Sequence, residues 1–154
     1  MATVDVQGLA VTLETAGTVV VGSGAAGLNC AVHLHDFGVR DVVVVTEGMN
    51  RGTSRNTGSD KQTYYKVGLA GDGADSVRAM ARTLFDGGAV DGDIALAEAA
   101  LSWLEFAHLV LIGVPFPHNT WGEFPGYRTD HDRTLRATSV GPLTSRYMTE
   151  RLED

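Results

Sequence analysis

Val19-Val20-Val21-Gly22-Ser23-Gly24-Ala25-Ala26-Gly27-Leu28 decides how this chain is read. Three β-branched residues run into Gly-x-Gly-x-x-Gly, and a helix-forming stretch, Leu28 to Phe37, follows at once. Strand, tight glycine turn and helix, in that order, form the phosphate cradle of a dinucleotide-binding fold. Gly22 permits the turn off the strand, Gly24 lets backbone approach a pyrophosphate, and Gly27 lets the helix pack closely on the sheet. The open N–H groups of the helix's first turn, with the positive end of its dipole, face the phosphates.

In a chain with 19 glycines that motif is weak by itself, and its surroundings strengthen it. After Gly38 comes Val39-Arg40-Asp41-Val42-Val43-Val44-Val45-Thr46-Glu47, a second apolar run ending in an acid. Continuous apolar strands suit a parallel sheet covered on both faces. Glu47 follows Gly27 by 20 residues, where an acid accepts hydrogen bonds from a ribose. The bland alternative is a βαβ unit without nucleotide, ending in a solvated glutamate. The expected fold class is α/β, a Rossmann-like parallel sheet with a βαβ glycine turn.

Val19–Gly27 followed by Val42–Glu47 resembles the amino-terminal FAD-binding segment of the fumarate reductase / succinate dehydrogenase / L-aspartate oxidase flavoprotein superfamily. The segment Gly48-Met49-Asn50-Arg51-Gly52-Thr53-Ser54-Arg55-Asn56-Thr57-Gly58-Ser59-Asp60-Lys61 is rich in glycines, hydroxyls and amides. Such a stretch is either a polar surface loop or a wrap around a ligand. In the superfamily it folds over the flavin. The resemblance therefore implies FAD contacts at Gly22, Ser23, Gly24, Ala25, Ala26 and Gly27, at Thr46, Glu47 and Gly48, and at Gly52, Thr53, Ser54, Asn56, Thr57 and Gly58.

Two departures from the superfamily bear on that picture. Membrane-bound members carry a histidine near the Thr53 position and attach FAD to it; none stands here, which implies non-covalent FAD. Many members carry a Gly-Gly pair near Ser59-Asp60, and its absence implies an altered contact beside the ring. Asp86-Gly87-Gly88, a long helix and Gly113-Val114-Pro115-Phe116 occur in the superfamily's order, and so does a glycine-led helix after Ser139.

Local signals fill in the rest. Met1–Ala16 alternates loosely (Val4, Val6, Leu9, Val11, Leu13), predicting a strand or hairpin with a packing role. Gly68-Leu69-Ala70-Gly71 reads as a turn. Asp75 or Ser76 caps a helix from Val77 to about Phe85, with Val77, Met80, Ala81 and Leu84 on one face. Asp93 is expected to cap a helix over Ile94–Leu111. Ile94, Ala97, Leu101, Leu104 and Val110 form its core stripe, broadened by Trp103 and Phe106. Gly113, Pro115 and Pro117 stop it. A last helix is expected from Ser139, with Pro142 in its first turn.

Composition bounds the function. The 154 residues allow one domain, with 44% hydrophobic and 20% charged residues. A net charge of −7 argues against a nucleic-acid or anionic-membrane surface. One cysteine excludes an internal disulfide and fits a reducing cytoplasm. Cys30 reads as a small buried hydrophobe and His33 and His35 as solvent-exposed imidazoles. The amino terminus lacks a signal-peptide pattern, and no apolar run reads as a membrane span. His118, Asp130, His131 and Asp132 lack helical metal-ligand spacing, so no metal is expected. Arg128, His131 and Arg133 lie in a loop expected at the mouth of the flavin pocket, where they either steer an anionic substrate or are simply solvated.

Only two long parallel-type strands are legible, Thr18–Val21 and Asp41–Thr46, whereas a doubly wound sheet needs more. Residues 1–154 are therefore expected to be the amino-terminal part of one FAD-binding domain, incomplete at its carboxyl end and without a capping or catalytic domain. The superfamily's proton-delivering residues come later, so no catalytic residue is assigned. The implied chemistry is hydride transfer between flavin N5 and a small, carboxylate-type substrate. Implied partners are that substrate and either the remainder of a split flavoenzyme or an electron-donor subunit. Two other readings stay open: an NAD(P)-binding Rossmann domain, since the turn and Glu47 serve both cofactors, and a non-catalytic nucleotide-binding module.

Overall fold

The computed structural model describes residues 2–59, 62–70 and 73–154. β1 (Ala2–Val6) and β2 (Leu9–Leu13) form an antiparallel hairpin, Ala2 opposite Leu13 and Val6 opposite Leu9. Its Gln7-Gly8 turn has φ of 54° and 85°, both positive as a two-residue hairpin turn requires. Every hairpin residue is exposed, which corrects the expected packing role. The alternation there is real, but no layer covers either face.

β3 (Thr18–Val21) pairs in parallel with β4 (Val42–Val45) through the crossover helix α1 (Ala25–Asp36), Thr18 opposite Val42 and Val21 opposite Val45. This is the βαβ unit the glycine motif predicts. One face of the pair is covered: Val20 is buried and Leu28 of α1 is 8% exposed. On the other face Val19, Val21, Val43 and Val45 remain exposed.

A short helix, α2 (Thr53–Asn56), follows in the glycine-rich loop. β5 (Tyr64–Tyr65) pairs antiparallel with β6 (Ala137–Thr138). Between these strands lie α3 (Val77–Asp86) and α4 (Gly92–Leu111), which pack on each other, and α5 (Thr144–Glu153) closes the described chain. Leu28, Phe106, Leu109, Val114, Phe116 and Leu152 form one core, joining α1, α4, the turn after α4 and α5. Met80, Ala81 and Ala99 form a second between α3 and α4.

Ser76 caps α3 as expected, its Oγ accepting the Ala79 N–H at 3.1 Å. α4 is capped by Asp91, two residues before the expected Asp93; its carboxylate accepts the Asp93 and Ile94 N–H groups. The buried face of α4 is also rotated from the expected one. Ala95, Ala99, Ser102, Phe106 and Leu109 are inside, while Ile94, Leu101 and Leu104 are each more than half exposed. Small residues win because α3 approaches closely where Ala95 and Ala99 leave room. At 20 residues with a mean hydropathy of 1.5, α4 has the length and composition of a membrane span, contrary to the sequence reading. Its inner side packs on α3 and Phe116, but only 28% of the apolar stretch is buried in the described structure.

α5 begins at Thr144, later than predicted, because Gly141 adopts φ 94° and interrupts helical geometry before Pro142. Cys30 is exposed, contrary to expectation: it lies on the side of α1 away from Leu28. His33 is only half-exposed. Its ring hydrogen-bonds with Glu105 at 3.3 Å and lies 4.8 Å from that of His108. The Gly68–Gly71 turn runs into Gly71, outside the described residues.

Candidate functional site

β3 delivers Gly22 to the amino end of α1. Gly22 takes φ 101°, a value that favours glycine, while its N–H reaches the Val45 carbonyl at 2.8 Å. The chain turns sharply yet stays tied to β4. Gly27 lies directly beneath this turn, where a Cβ would fall on the Gly22 carbonyl oxygen and 3.5 Å from Val20 Cγ1. That is the close helix–sheet packing the third glycine of the motif serves. At Gly24 a Cβ would meet only Ser54 Oγ, at 3.5 Å.

The loop after β4 folds back onto this end of α1. Ser23 Oγ hydrogen-bonds with Thr46 Oγ1 at 2.8 Å and donates to the Arg51 carbonyl at 3.2 Å. The Ala25 N–H donates to Ser54 Oγ at 3.2 Å, so α2 supplies the cap that Gly24 lacks. Gly52, with φ 99°, brings the two backbones nearly together: a Cβ there would lie 3.1 Å from the Ser23 carbonyl oxygen and 3.2 Å from the Gly24 nitrogen.

Three separate segments thus line one open cleft of about 590 Å³: Val21–Gly24, Val45–Glu47 and Arg51–Ser54. Its size lies within the usual range for small-molecule sites, roughly 300–1,000 Å³. Ala25 and Ala26 form the first turn of α1 beside it, where helix geometry leaves N–H groups without intrahelical acceptors and concentrates positive dipole. Glu47 is exposed at the end of β4. An anion fits the α1 end and a hydroxyl-bearing group fits Glu47, the two needs of a dinucleotide.

Of the residues expected to touch cofactor, Gly22, Ser23, Gly24, Thr46, Glu47, Gly52, Thr53 and Ser54 converge on this cleft. Five others do not line it. Gly27 packs under the turn, and a Cβ on Gly48 would lie 3.7 Å from Arg51 Cγ. Asn56 Nδ2 donates to the Asn50 and Gly52 carbonyls, both at 2.9 Å. The Thr57 N–H closes α2 on the Thr53 carbonyl at 3.0 Å. A Cβ on Gly58 would lie 3.1 Å from Leu143 Cδ2 and 3.2 Å from the Pro142 carbonyl oxygen. Asp60, half of the position where the superfamily's Gly-Gly pair is replaced, lies outside the described residues, as does Lys61. Arg51 was missed by the sequence reading, yet among the described lining residues it carries the only positive charge. Its signal was a cation set in a Gly/Ser/Thr loop just past an acid-terminated strand.

The densest polar cluster lies elsewhere. Arg136 is 2% exposed and grips Asp75 with two bonds, Nη2 to Oδ1 at 2.6 Å and Nε to Oδ2 at 2.9 Å. Its Nη1 donates to Asp132 at 3.0 Å and Thr83 Oγ1 at 2.8 Å, and Tyr65 Oη donates to Asp132. Burial pushes the Asp75 carboxyl up. The Arg136 guanidinium and the Gly68 and Ser76 N–H groups outweigh it and hold the group below the usual carboxylate range. The hydrogen bond to Asp75 raises Arg136 in turn. Lys66 is fully buried, its Nζ 3.3 Å from the Phe124 carbonyl and 5.0 Å from the centre of the Phe106 ring, and burial lowers its pKa. Burial, then the Glu105 charge, raises the Tyr64 hydroxyl. Arg128, His131 and Arg133 are exposed and do not line the cleft, and Asp132 is committed to Arg136. No group of three or more His, Cys, Asp or Glu residues that could hold a metal occurs among the described residues.

A βαβ glycine turn with a second loop folded over its helix end is the architecture of a dinucleotide-binding domain. The FAD binding domain family, FAD_binding_2, matches residues 17–152, and the chain belongs to it. This decides between the flavin and nicotinamide readings in favour of flavin. The fold is that of fumarate reductase and succinate dehydrogenase flavoproteins. FrdA of E. coli quinol fumarate reductase, in a mutant form, superimposes with a TM-score of 0.71 at 18% identity over 90% of this chain. Mycobacterium smegmatis Sdh1 in complex with UQ1 gives 0.72 at 21% over 88%, and Sdh1 in the apo form gives the same values. The chain spans 22–23% of the length of these solved chains. No curated protein sequence is matched.

Proposed function

We propose that residues 1–154 are the amino-terminal part of the FAD-binding domain of a cytoplasmic flavin-dependent oxidoreductase that acts on a small, carboxylate-type substrate. One observation carries this reading: the β3–α1 turn, the end of β4 and the 51–54 turn meet at one cleft. Bound there, FAD would supply hydride transfer at its N5. The chain's own residues supply the cradle. The α1 end and Arg51 neutralise the pyrophosphate, Glu47 accepts from the ribose, and Thr46, Thr53 and Ser54 offer hydroxyls. Thr53 stands near the position where covalent members of the superfamily carry their histidine, which supports non-covalent FAD.

The exposed Val19, Val21, Val43 and Val45 face supports a larger whole, since parallel strands are normally covered on both sides. We assign that cover to the remainder of a flavoenzyme, in the same polypeptide or a second one. The test is the visible spectrum and intact mass of the protein isolated from its source. A yellow species that releases free FAD on denaturation is expected. A colourless protein that ignores added FAD overturns the reading, and flavin that stays attached after denaturation overturns the non-covalent mode.

A further inference from the structure

The turn that lines the cleft is held from behind by α5, and one residue makes the connection. Arg55 sits in α2 immediately after Ser54, with its side chain 13% exposed. Its Nη1 donates to Glu153 Oε2 at 2.8 Å, and its Nε lies 3.8 Å from Glu150 Oε1. A second hydrogen bond runs to Asn50 Oδ1, at the entrance of the same turn. On the opposite side of α2, Ser54 caps α1 and Gly52 touches the Ser23–Gly24 backbone. Two carboxylates of α5 thus fix Arg55, Arg55 fixes α2, and α2 fixes the wall of the cleft.

Other contacts join the loop to the same helix. Gln62 exchanges hydrogen bonds with Ser145, through Nε2 to Oγ at 2.8 Å and from the Ser145 N–H to Oε1 at 3.1 Å. The Ser59 N–H donates to the Pro142 carbonyl at 2.9 Å. These hold the far end of the loop. Of these described ties to α5, the Arg55 pair lies nearest the cleft, one residue from the lining Ser54. A four-residue helix cannot hold its own shape in water, so its geometry is set by what it is tied to.

We propose that Arg55 is a positioning residue for the cofactor, and that its pairing with Glu153 and Glu150 makes FAD affinity depend on the seating of α5. The inference rests on the FAD reading of the cleft. Arg55 itself does not line the cleft; it acts through Ser54 and Gly52. A guanidinium suits this task because its planar fork serves several acceptors at once, which a lysine ammonium does less well.

The experiment compares FAD binding to wild type, Arg55→Ala, Arg55→Lys and Glu153→Gln by quenching of flavin fluorescence, alongside thermal unfolding of each protein without FAD. Arg55→Ala is expected to weaken FAD at least about tenfold, the scale seen when groups that orient a ligand's contacts are lost. Arg55→Lys should recover part of that loss, and Glu153→Gln should lose affinity while its unfolding temperature stays near wild type. That separation marks positioning, because a purely structural role would move affinity only in step with unfolding. Wild-type affinity in both Arg55→Ala and Glu153→Gln overturns the inference while leaving the FAD reading intact. A wild-type chain that binds no FAD overturns the FAD reading and the inference with it.

Discussion

Gly27 lies so closely beneath Gly22 that a Cβ would land on the Gly22 carbonyl oxygen and 3.1 Å from its carbon. The obstacle is backbone, which cannot rotate aside as a side chain does. Gly27→Ala must push α1 away from β3 and open the contact between Leu28 and its core neighbours. The expected cost is about 1–3 kcal/mol, as for other overpacked interiors. Urea unfolding monitored by circular dichroism measures it. An unchanged midpoint means that α1 is free to slide.

The Arg136 cluster predicts a larger effect. Removing the guanidinium leaves Asp75 and Asp132 buried without a counter-charge, so Arg136→Met should cost about 3–5 kcal/mol. The same cluster sets an acid limit. Asp75 titrates below its ordinary value of 3.8, so between the two values the unfolded chain binds more protons than the folded one. Its contribution is fully present above the unfolded value and is lost as pH falls through the folded one. Asp75→Asn should lower stability at neutral pH and flatten the acid limb of the stability curve. An acid limb as steep as that of wild type assigns acid unfolding to other carboxylates.

How far these features can be read without coordinates depends on sequence distance. The β3–turn–α1–β4 unit is legible because glycine spacing and β-branched runs encode it within about thirty residues. The face of α4 is not, because the helix is apolar on nearly every side: Leu101 and Leu104 are exposed while Ala95 and Ala99 are buried, and hydrophobicity alone ranks them the other way. Arg136 and Asp75 are 61 residues apart, and Arg55 and Glu153 are 98 apart. No local pattern ties such pairs together. The flavin-loop hydroxyls fall between these cases. Their composition fits a surface loop as well as a ligand wrap, and the fold separates Thr53 and Ser54, on the cleft, from Asn56 and Thr57, which do not line it.

Lys66 gives stability the same sign of pH dependence as Asp75, but in an alkaline window. Burial lowers its pKa, so between the folded value and the ordinary 10.5 the unfolded chain binds the extra proton. Stability should therefore climb as pH rises through that window. While protonated, the buried ammonium is a cost, and among the described residues one carbonyl and the face of Phe106 offset it. Lys66→Met is expected to match or exceed wild-type stability at pH 7 and to abolish the alkaline climb. Urea midpoints at pH 7 and pH 10 check both. A loss above about 2 kcal/mol at pH 7 would show that the carbonyl and ring outweigh desolvation.

The cleft itself is tested at its two ends. In the proposed FAD reading Gly24 stands where backbone approaches the pyrophosphate, and a Cβ there has Ser54 Oγ for its nearest contact, at 3.5 Å. The free protein therefore tolerates a side chain far better at Gly24 than at Gly27. Gly24→Val should leave unfolding nearly unchanged while abolishing FAD uptake, because the branched side chain fills space that the phosphates need. At the other end, Glu47→Ala removes the acceptor proposed for the ribose and should weaken FAD by about 1–3 kcal/mol, the scale of a charge-assisted hydrogen bond. Titration of both variants with FAD, beside their unfolding curves, separates site from scaffold. Retained affinity in Gly24→Val would move the pyrophosphate away from the α1 end, and retained affinity in Glu47→Ala would leave the ribose without its assigned partner.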